Sequence, residues 1–404
     1  MKTLKHLIVL ILILALALMT GCGSEDTSED GTAVNKASAM IGSLTSPVTS
    51  ENIADYDFSD RAMTYLERIG TDFKNRDLES GDTNNAHDAA RDWIISELKS
   101  AGYSDEQITL ESFDVDDSNN VEGNNIILTV EGEDPSKQII AGAHYDGDGV
   151  GDNGSGTALL LANAVGLQNV KPHYTVKYIF FDGEEEGCLG SLYNTEQMTE
   201  EEIDNTIYMV NLDALAFGDY CNIYGGAFGD ASMAIAVDND NLERPKATEA
   251  YGFAADTAEN LGFNVMRTED LDGYYAKHGT GPAIKDGTLY TNPWAPENPA
   301  PANNTAMSPA TIPASDHIGY MGLGIEYIYF EATNWFAGND EDGEDGISFT
   351  GYIETYDDSL GEDGMFMNTE YDTLENLNEY FPGRAKKHFQ LYSPLLSALL
   401  LVSE

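Results

Sequence analysis

Cysteine is scarce: Cys22, Cys188 and Cys221 are the only three in 404 residues, which excludes a scaffold held together by many disulfides. Basic residues are scarce as well. Twenty Lys and Arg stand against 70 Asp and Glu, a formal charge of −50. A surface so poor in cations excludes nucleic acid as the main partner, because phosphate binding needs a basic face. The one long apolar run, residues 7–19, falls short of the roughly 17–25 residues that a membrane-spanning helix needs. No repeat recurs at a period of about 20–50 residues, which argues against solenoids and propellers. What the chain does have is 42% hydrophobic and 10% aromatic residues. That is too rich for an acidic disordered tail and sufficient for a sizeable core.

The N-terminus reads separately from the rest. Lys2 and Lys5 precede the apolar run, and Met19-Thr20-Gly21-Cys22 follows it. A positive start and a short apolar stretch describe a secretory signal, and the four residues at its end resemble the lipobox of a bacterial lipoprotein. That resemblance implies cleavage after residue 21 and a lipid on Cys22. The protein would then sit at the outer face of the bacterial cytoplasmic membrane, or be secreted, touching membrane only through the lipid. Residues 22–50 are dominated by Ser, Thr, Asp, Glu and Gly and read as a flexible tether. The folded domain is expected at 51–404.

Within that domain the apolar spacing is first helical. Met63, Tyr65, Leu66 and Ile69 share one face, as do Ala89, Trp93, Ile94 and Leu98, and Gly102 ends the second helix. The pattern then alternates. Residues 125–130, 138–143, 176–181, 207–212 and 325–330 read as strands; 156–167, 190–196, 247–261 and 384–401 read as helices, the last apolar enough to dock on the core. This order predicts an α/β fold with a mixed, mostly parallel central sheet flanked by helices. Ligands of such sheets bind beyond the carboxyl ends of the strands.

Chemistry-bearing residues stand at those ends. The run 138–143 leads into His144-Tyr145-Asp146 and then Gly151-Asp152-Asn153-Gly154-Ser155-Gly156. The run 176–181 leads into Asp182-Gly183-Glu184-Glu185-Glu186-Gly187, and 207–212 into Asp213. Carboxylates gathered at one sheet edge repel each other unless a cation joins them. Imidazole with carboxylates is a zinc-type donor set, and an Asp between two sites can bridge a metal pair suited to hydrolysis.

Five ordered motifs carry a family resemblance: His144-x-Asp146, Gly151 to Gly156, Glu184-Glu185-x-Gly187-x-x-Gly190-Ser191, Asn211-Leu212-Asp213, and Ser315-Asp316-His317. Together they resemble the zinc aminopeptidases of metallopeptidase family M28, of phosphorylase/hydrolase-like fold. The resemblance implies that His144 and Asp213 bind one metal, that Glu185 binds the other, and that Asp152 bridges them. It makes Glu184 the general base and Asp146 the residue that orients the His144 ring. It implies a cis peptide after Asp152, and a shell rather than ligand role for His317. The implied substrates are peptides. A glutaminyl cyclase of the same fold, or a degenerate metal- or peptide-binding lipoprotein, are the alternatives.

One departure bears on the metals. Where the family has a late His ligand, this chain reads Asn368-Thr369-Glu370-Tyr371-Asp372-Thr373-Leu374. An amide oxygen is a weaker donor to zinc than imidazole and suits harder cations. One tight zinc is therefore expected, with a second site that is weak or holds another divalent cation. The short loop between His144 and Asp152 narrows one rim of the site. Residues 273–313 read as an inserted rim or lid, and the acidic run 339–346 as a solvated loop. Asp182 reads as a structural or shell residue, and His87, His173, His278 and His388 as solvated or loop residues. Pairing of Cys188 with Cys221 stays open.

Overall fold

The computed structural model describes residues 36–78, 86–116, 121–218, 221–227, 246–247, 249–267, 288–292, 315–332, 359, 361–362, 366–367 and 369–404. Among these, nine strands form one sheet: β1 (Ile108–Asp116), β2 (Val121–Val130), β3 (Asp134–His144), β4 (Tyr174–Phe181), β5 (Thr206–Leu212), β6 (Cys221–Tyr224), β7 (Asn264–Arg267), β8 (Thr288–Asn292) and β9 (Tyr327–Glu331). The order across the sheet is β1-β2-β4-β3-β5-β9-β6-β8-β7. Its centre, β4-β3-β5-β9, is parallel, and so is the flank β6-β8-β7. Pairings β1-β2, β2-β4 and β9-β6 are antiparallel. The mixed, mostly parallel α/β expectation holds.

The central strands are covered on both faces, and so they read as continuous apolar runs rather than alternating ones. All seven residues of β5 and all five of β9 are buried. Among the described residues the helices are α1 (Ser59–Asp72), α2 (Ala86–Ala101), α3 (Gly154–Gly166), α4 (Leu189–Gln197), α5 (Glu200–Asn205), α6 (Glu249–Asn260), α7 (His317–Gly322), α8 (Leu374–Tyr380) and α9 (Arg384–Leu400). Helix α1 buries Tyr65, Leu66 and Ile69 as expected, with Ala62 in place of the partly buried Met63, and in α2 Ala90 rather than the exposed Ala89 joins Trp93, Ile94 and Leu98. Helix α3 is buried all round from Gly154 to Ala164, which fits a helix without a polar face. It lies between the sheet and α1, and α9 packs on α1, α3 and α6. Among the described residues, no helix is long and apolar enough to cross a membrane.

Two boundaries differ from the sequence reading. Residues 36–50 are packed rather than a tether. A 3-10 turn, Ser38–Ser43, buries Ile41, and Leu44 and Val48 are buried beyond it. The Ala37 N–H donates to Asp204 O at 2.9 Å, and Thr45 and Ser403 exchange backbone hydrogen bonds of 2.8 and 3.0 Å. Ala37, Ile41, Leu44 and Val48 fall at intervals of three or four, a single apolar stripe hidden in polar composition. The inserted stretch 273–313 contributes β8 to the sheet; its remaining residues, the run 339–346, His6, Cys22 and His278 lie outside the described residues, as do residues 1–35.

Candidate metal centre

Three parallel neighbours deliver the site. His144 is the last residue of β3, Asp182 follows β4 directly, and Asp213 follows β5 directly. Since β3 lies between β4 and β5, the imidazole arrives in the middle with carboxylates on both sides. His144 is fully buried, and its Nε2 lies 3.2 Å from Asp152 Oδ1, 3.4 Å from Asp213 Oδ1 and 3.9 Å from Glu184 Oε2. Its Nδ1 lies 3.4 Å from Asp146 Oδ1. One donor atom from each of His144, Glu184 and Asp213 falls within 4.8 Å of the others.

The backbone around these groups is held in place by side chains. Asn153 caps α3 by accepting from the Gly156 N–H at 2.8 Å, and its amide donates to Leu212 O at 2.8 Å, tying the helix start to the end of β5. A Cβ at position 156 would come within 2.4 Å of Asn153 Oδ1 and of Leu212 O, so that position requires glycine. The peptide from Asp152 to Asn153 is cis. Asp372, in the late stretch, accepts from the Gly151 and Asp152 N–H groups at 2.6 and 3.0 Å. Ser315 donates to Asp213 Oδ2 at 2.7 Å and receives from Asn211 at 2.8 Å.

The electrostatics favour a cation. Burial opposes charge on the His144 ring, but Asp213 and Glu184, with the Asp146 and Asp152 oxygens beside it, draw its pKa well above the ordinary value. Burial raises Glu184 and Glu185 well above the carboxylate range; His144 opposes this, while Asp213 acts on both in the same direction as burial. Asp152 is pushed up to about 6 by burial and by Asp213. Asp146 goes the other way. Burial would raise it, yet His144 and the Glu185 and Glu184 N–H groups hold it low. Both ring nitrogens of His144 and Oδ1 of Asp213 are buried and make no hydrogen bond. Buried polar atoms are almost always satisfied, and a divalent cation would satisfy Nε2 and Asp213 Oδ1 with the donor types that zinc prefers, while Nδ1 faces Asp146 Oδ1 at 3.4 Å.

Of the residues singled out in the sequence, His144, Asp146, Asp152, Glu184 and Asp213 come together. The Glu185 N–H donates to Asp146 Oδ2 at 3.2 Å, and its carboxylate packs over Gly147, where a Cβ would lie 2.8 Å from Oε1. Asn368 lies outside the described residues. His317 is buried against Tyr327 and Tyr329, with burial lowering its pKa to about 3. Cys188 and Cys221 are each buried free thiols, so they do not pair. Cys188 Sγ donates to Glu184 Oε1 at 3.4 Å.

Two histidines read as solvated are buried. His87 stacks on Tyr145, and its Nε2 lies 2.7 Å from Asp182 Oδ1, whose other oxygen accepts from Tyr145 and from the Asn124 N–H. His388 Nδ1 donates to Leu215 O at 2.7 Å. Each is satisfied by a partner remote in the chain, which local pattern does not reveal. Sequence reasoning also passed over Arg76, a buried guanidinium bound to three carbonyls. It stands in no motif, and only the chain path brings it to the site.

Comparison with known proteins agrees with this geometry. Residues 125–261 match the model of peptidase family M28. Over 167 residues the chain is 30% identical to the alkaline phosphatase isozyme conversion protein of Escherichia coli, covering 37% of this chain and 47% of that one. Over 130 residues it is 33% identical to aminopeptidase Y of Saccharomyces cerevisiae, covering 31% and 22%. The chain thus spans less than half the length of these curated relatives. In fold it resembles a Zn-dependent exopeptidase of Parabacteroides distasonis (TM-score 0.50, 17% identity, 85% of this chain and 97% of that one). It equally resembles the glutaminyl cyclase of Tannerella forsythia (TM-score 0.51, 16% identity, 85% and 98%). The matched segment holds His144, Asp152, Glu184, Glu185 and Asp213 in order, and over it the chain is similar to peptidase family M28.

Proposed function

We propose that the protein is a metal-dependent aminopeptidase that removes N-terminal residues from peptides outside the cytoplasm, tethered by a lipid on Cys22. The observation that carries the catalytic reading is the convergence of His144, Glu184 and Asp213 within 4.8 Å, with the two nitrogens of His144 buried and without hydrogen bonds. His144, Asp152 and Asp213 would hold a divalent cation, which when bound polarises the scissile carbonyl and acidifies water.

The chain's own groups do the rest. Glu184, its proton affinity raised by burial, takes a proton from the attacking water and returns it to the leaving amine. Asp146, held ionised against His144 Nδ1 at 3.4 Å, fixes the ring so that Nε2 faces the carboxylates. Asp372 secures the Gly151 and Asp152 amides, and so the direction in which Asp152 presents its carboxylate.

Asn368 sets the expected stoichiometry. By the resemblance Asn368 stands where the family has imidazole, so one zinc would bind tightly and a second site would be weak or take a harder cation. Aminoacyl-anilide hydrolysis, with and without chelator, tests the activity, and metal analysis after dialysis tests the count. Chelation should abolish turnover and zinc should restore it. Cyclisation of an N-terminal Gln peptide without anilide hydrolysis would instead establish a cyclase, and zinc binding with neither reaction a binding protein. Two tightly held zincs, unchanged in Asn368→His, would refute the stoichiometry alone. Fatty-acid labelling lost in Cys22→Ala tests the tether.

A further inference from the structure

Arg76 is 2% exposed and lies in the segment that follows α1. Its Nε donates to Tyr145 O at 2.8 Å, Nη1 to Phe73 O at 2.7 Å and Nη2 to Gly149 O at 2.8 Å. Its own backbone N–H donates to Gly147 O at 3.2 Å. Three of these four acceptors, at 145, 147 and 149, belong to the short loop that leaves His144 and returns to Asp152. The fourth belongs to the end of α1. The loop is therefore laced at both ends and its middle onto one residue.

The loop has other anchors at its ends, where the Tyr145 N–H donates to Phe181 O at 2.9 Å and Asp372 holds the Val150, Gly151 and Asp152 N–H groups. Among the described residues, Arg76 is the one that joins positions 145, 147 and 149. The loop carries Asp146, which faces the His144 ring, and it delivers Asp152 next to the same ring. Gly147, at φ +89°, leaves room for the Glu185 carboxylate. A guanidinium suits the task because its planar fork reaches several carbonyls in fixed directions, and because it stays charged where an ammonium would give up its proton. Burial works against the charge, while Asp146, Asp372, Asp148 and Glu185 support it. Arg76 thus places a permanent cation beside the buried Asp146 and Asp372.

We infer that Arg76 is a positioning residue of the metal centre: its fork sets the path of residues 145–149, and with it the placement of Asp146 and Asp152 about His144. This rests on the metallopeptidase reading above. The test compares the full chain with Arg76→Lys and Arg76→Met. Zinc affinity is measured by competition with a chromophoric chelator, kcat and KM with an aminoacyl-anilide, and folding by circular dichroism and melting.

Arg76→Lys, which keeps a basic nitrogen but not the fork, should bind zinc about tenfold more weakly and lose about tenfold in kcat, with KM nearly unchanged. Arg76→Met should lose about a hundredfold in zinc affinity, the range typical of groups that orient metal ligands. A residue serving only stability would lower melting and leave zinc affinity, measured well below the melt, untouched. A folded variant binding zinc within twofold of the natural chain overturns the inference while leaving the metallopeptidase reading in place. A natural chain that binds no zinc overturns that reading itself. If neither variant folds, the assigned Arg76 Nε–H resonance of the natural protein decides. A protected signal that shifts when zinc is added supports the coupling, and one that does not shift refutes it.

Discussion

Burial is the chief reason that Glu184 holds its proton more tightly than an ordinary carboxylate; His144 opposes this, and Asp213, Glu185 and Asp316 add to it. A residue so placed, 3.9 Å from His144 Nε2, could serve either as proton carrier or as ligand, and one substitution separates the two. Glu184→Gln keeps the shape and an amide oxygen but removes the base. It should retain zinc and lose about a hundredfold or more in turnover. Zinc lost together with activity would make Glu184 a ligand instead. His388 offers a test of stability at the same scale. Burial, with smaller help from Arg384 and Lys387, lowers its pKa from 6.5 to about 4, against the opposing Leu215 carbonyl. The unfolded chain therefore binds a proton that the folded chain refuses as pH falls from about 6.5 to about 4. Stability present above 6.5 is lost across that window, roughly 3 kcal/mol for this group alone. Urea unfolding at pH 7 and pH 4.5 should show a smaller loss for His388→Gln than for the natural chain, and equal losses would remove His388 from the account.

At the scale of elements, the segment that holds Ile41 makes a structural claim. Ile41 is fully buried, and a large-to-small change in such a core costs about 2–5 kcal/mol. Ile41→Ala should lower the urea midpoint accordingly; a surface tether would give no change. The same segment shows what sequence could and could not reveal. Strands β3, β4 and β5 were legible because a buried parallel strand is a continuous apolar run, and each ends in residues whose only plausible company is a cation. Helix α9 was legible from its apolar end. The segment 36–48 was not, because four well-spaced apolar residues were outnumbered by Ser, Thr and Gly. Strands β6, β7 and β8 are short, and their pairing is set by neighbours far along the chain. Among individual residues, His87 meets Asp182 across 95 positions and His388 meets Leu215 across 173. Side chains satisfied over such separations carry no local signature, and Arg76 shares that invisibility.

For the whole molecule, the excess of 70 acidic over 20 basic residues acts on stability and on catalysis with opposite signs. Like charges crowded onto a folded surface repel more strongly than the same charges spread along an unfolded chain, so the net charge works against the compact state. Salt shortens the reach of that repulsion, from about 30 Å at 0.01 M to about 10 Å at 0.1 M. Melting of the zinc-loaded protein should therefore rise by a few degrees between 10 and 300 mM NaCl. If the proposed aminopeptidase activity holds, the same field would draw in a peptide through its N-terminal ammonium, and more so if its side chain is cationic, because steering depends on the summed charge around the site. As salt rises, kcat/KM for a Lys-anilide should fall while that for a Glu-anilide falls less or increases. The two effects share one cause and must appear over the same salt range. Melting that rises while the Lys and Glu substrates respond alike would confine the charge effect to stability and show that the field does not reach the mouth of the site.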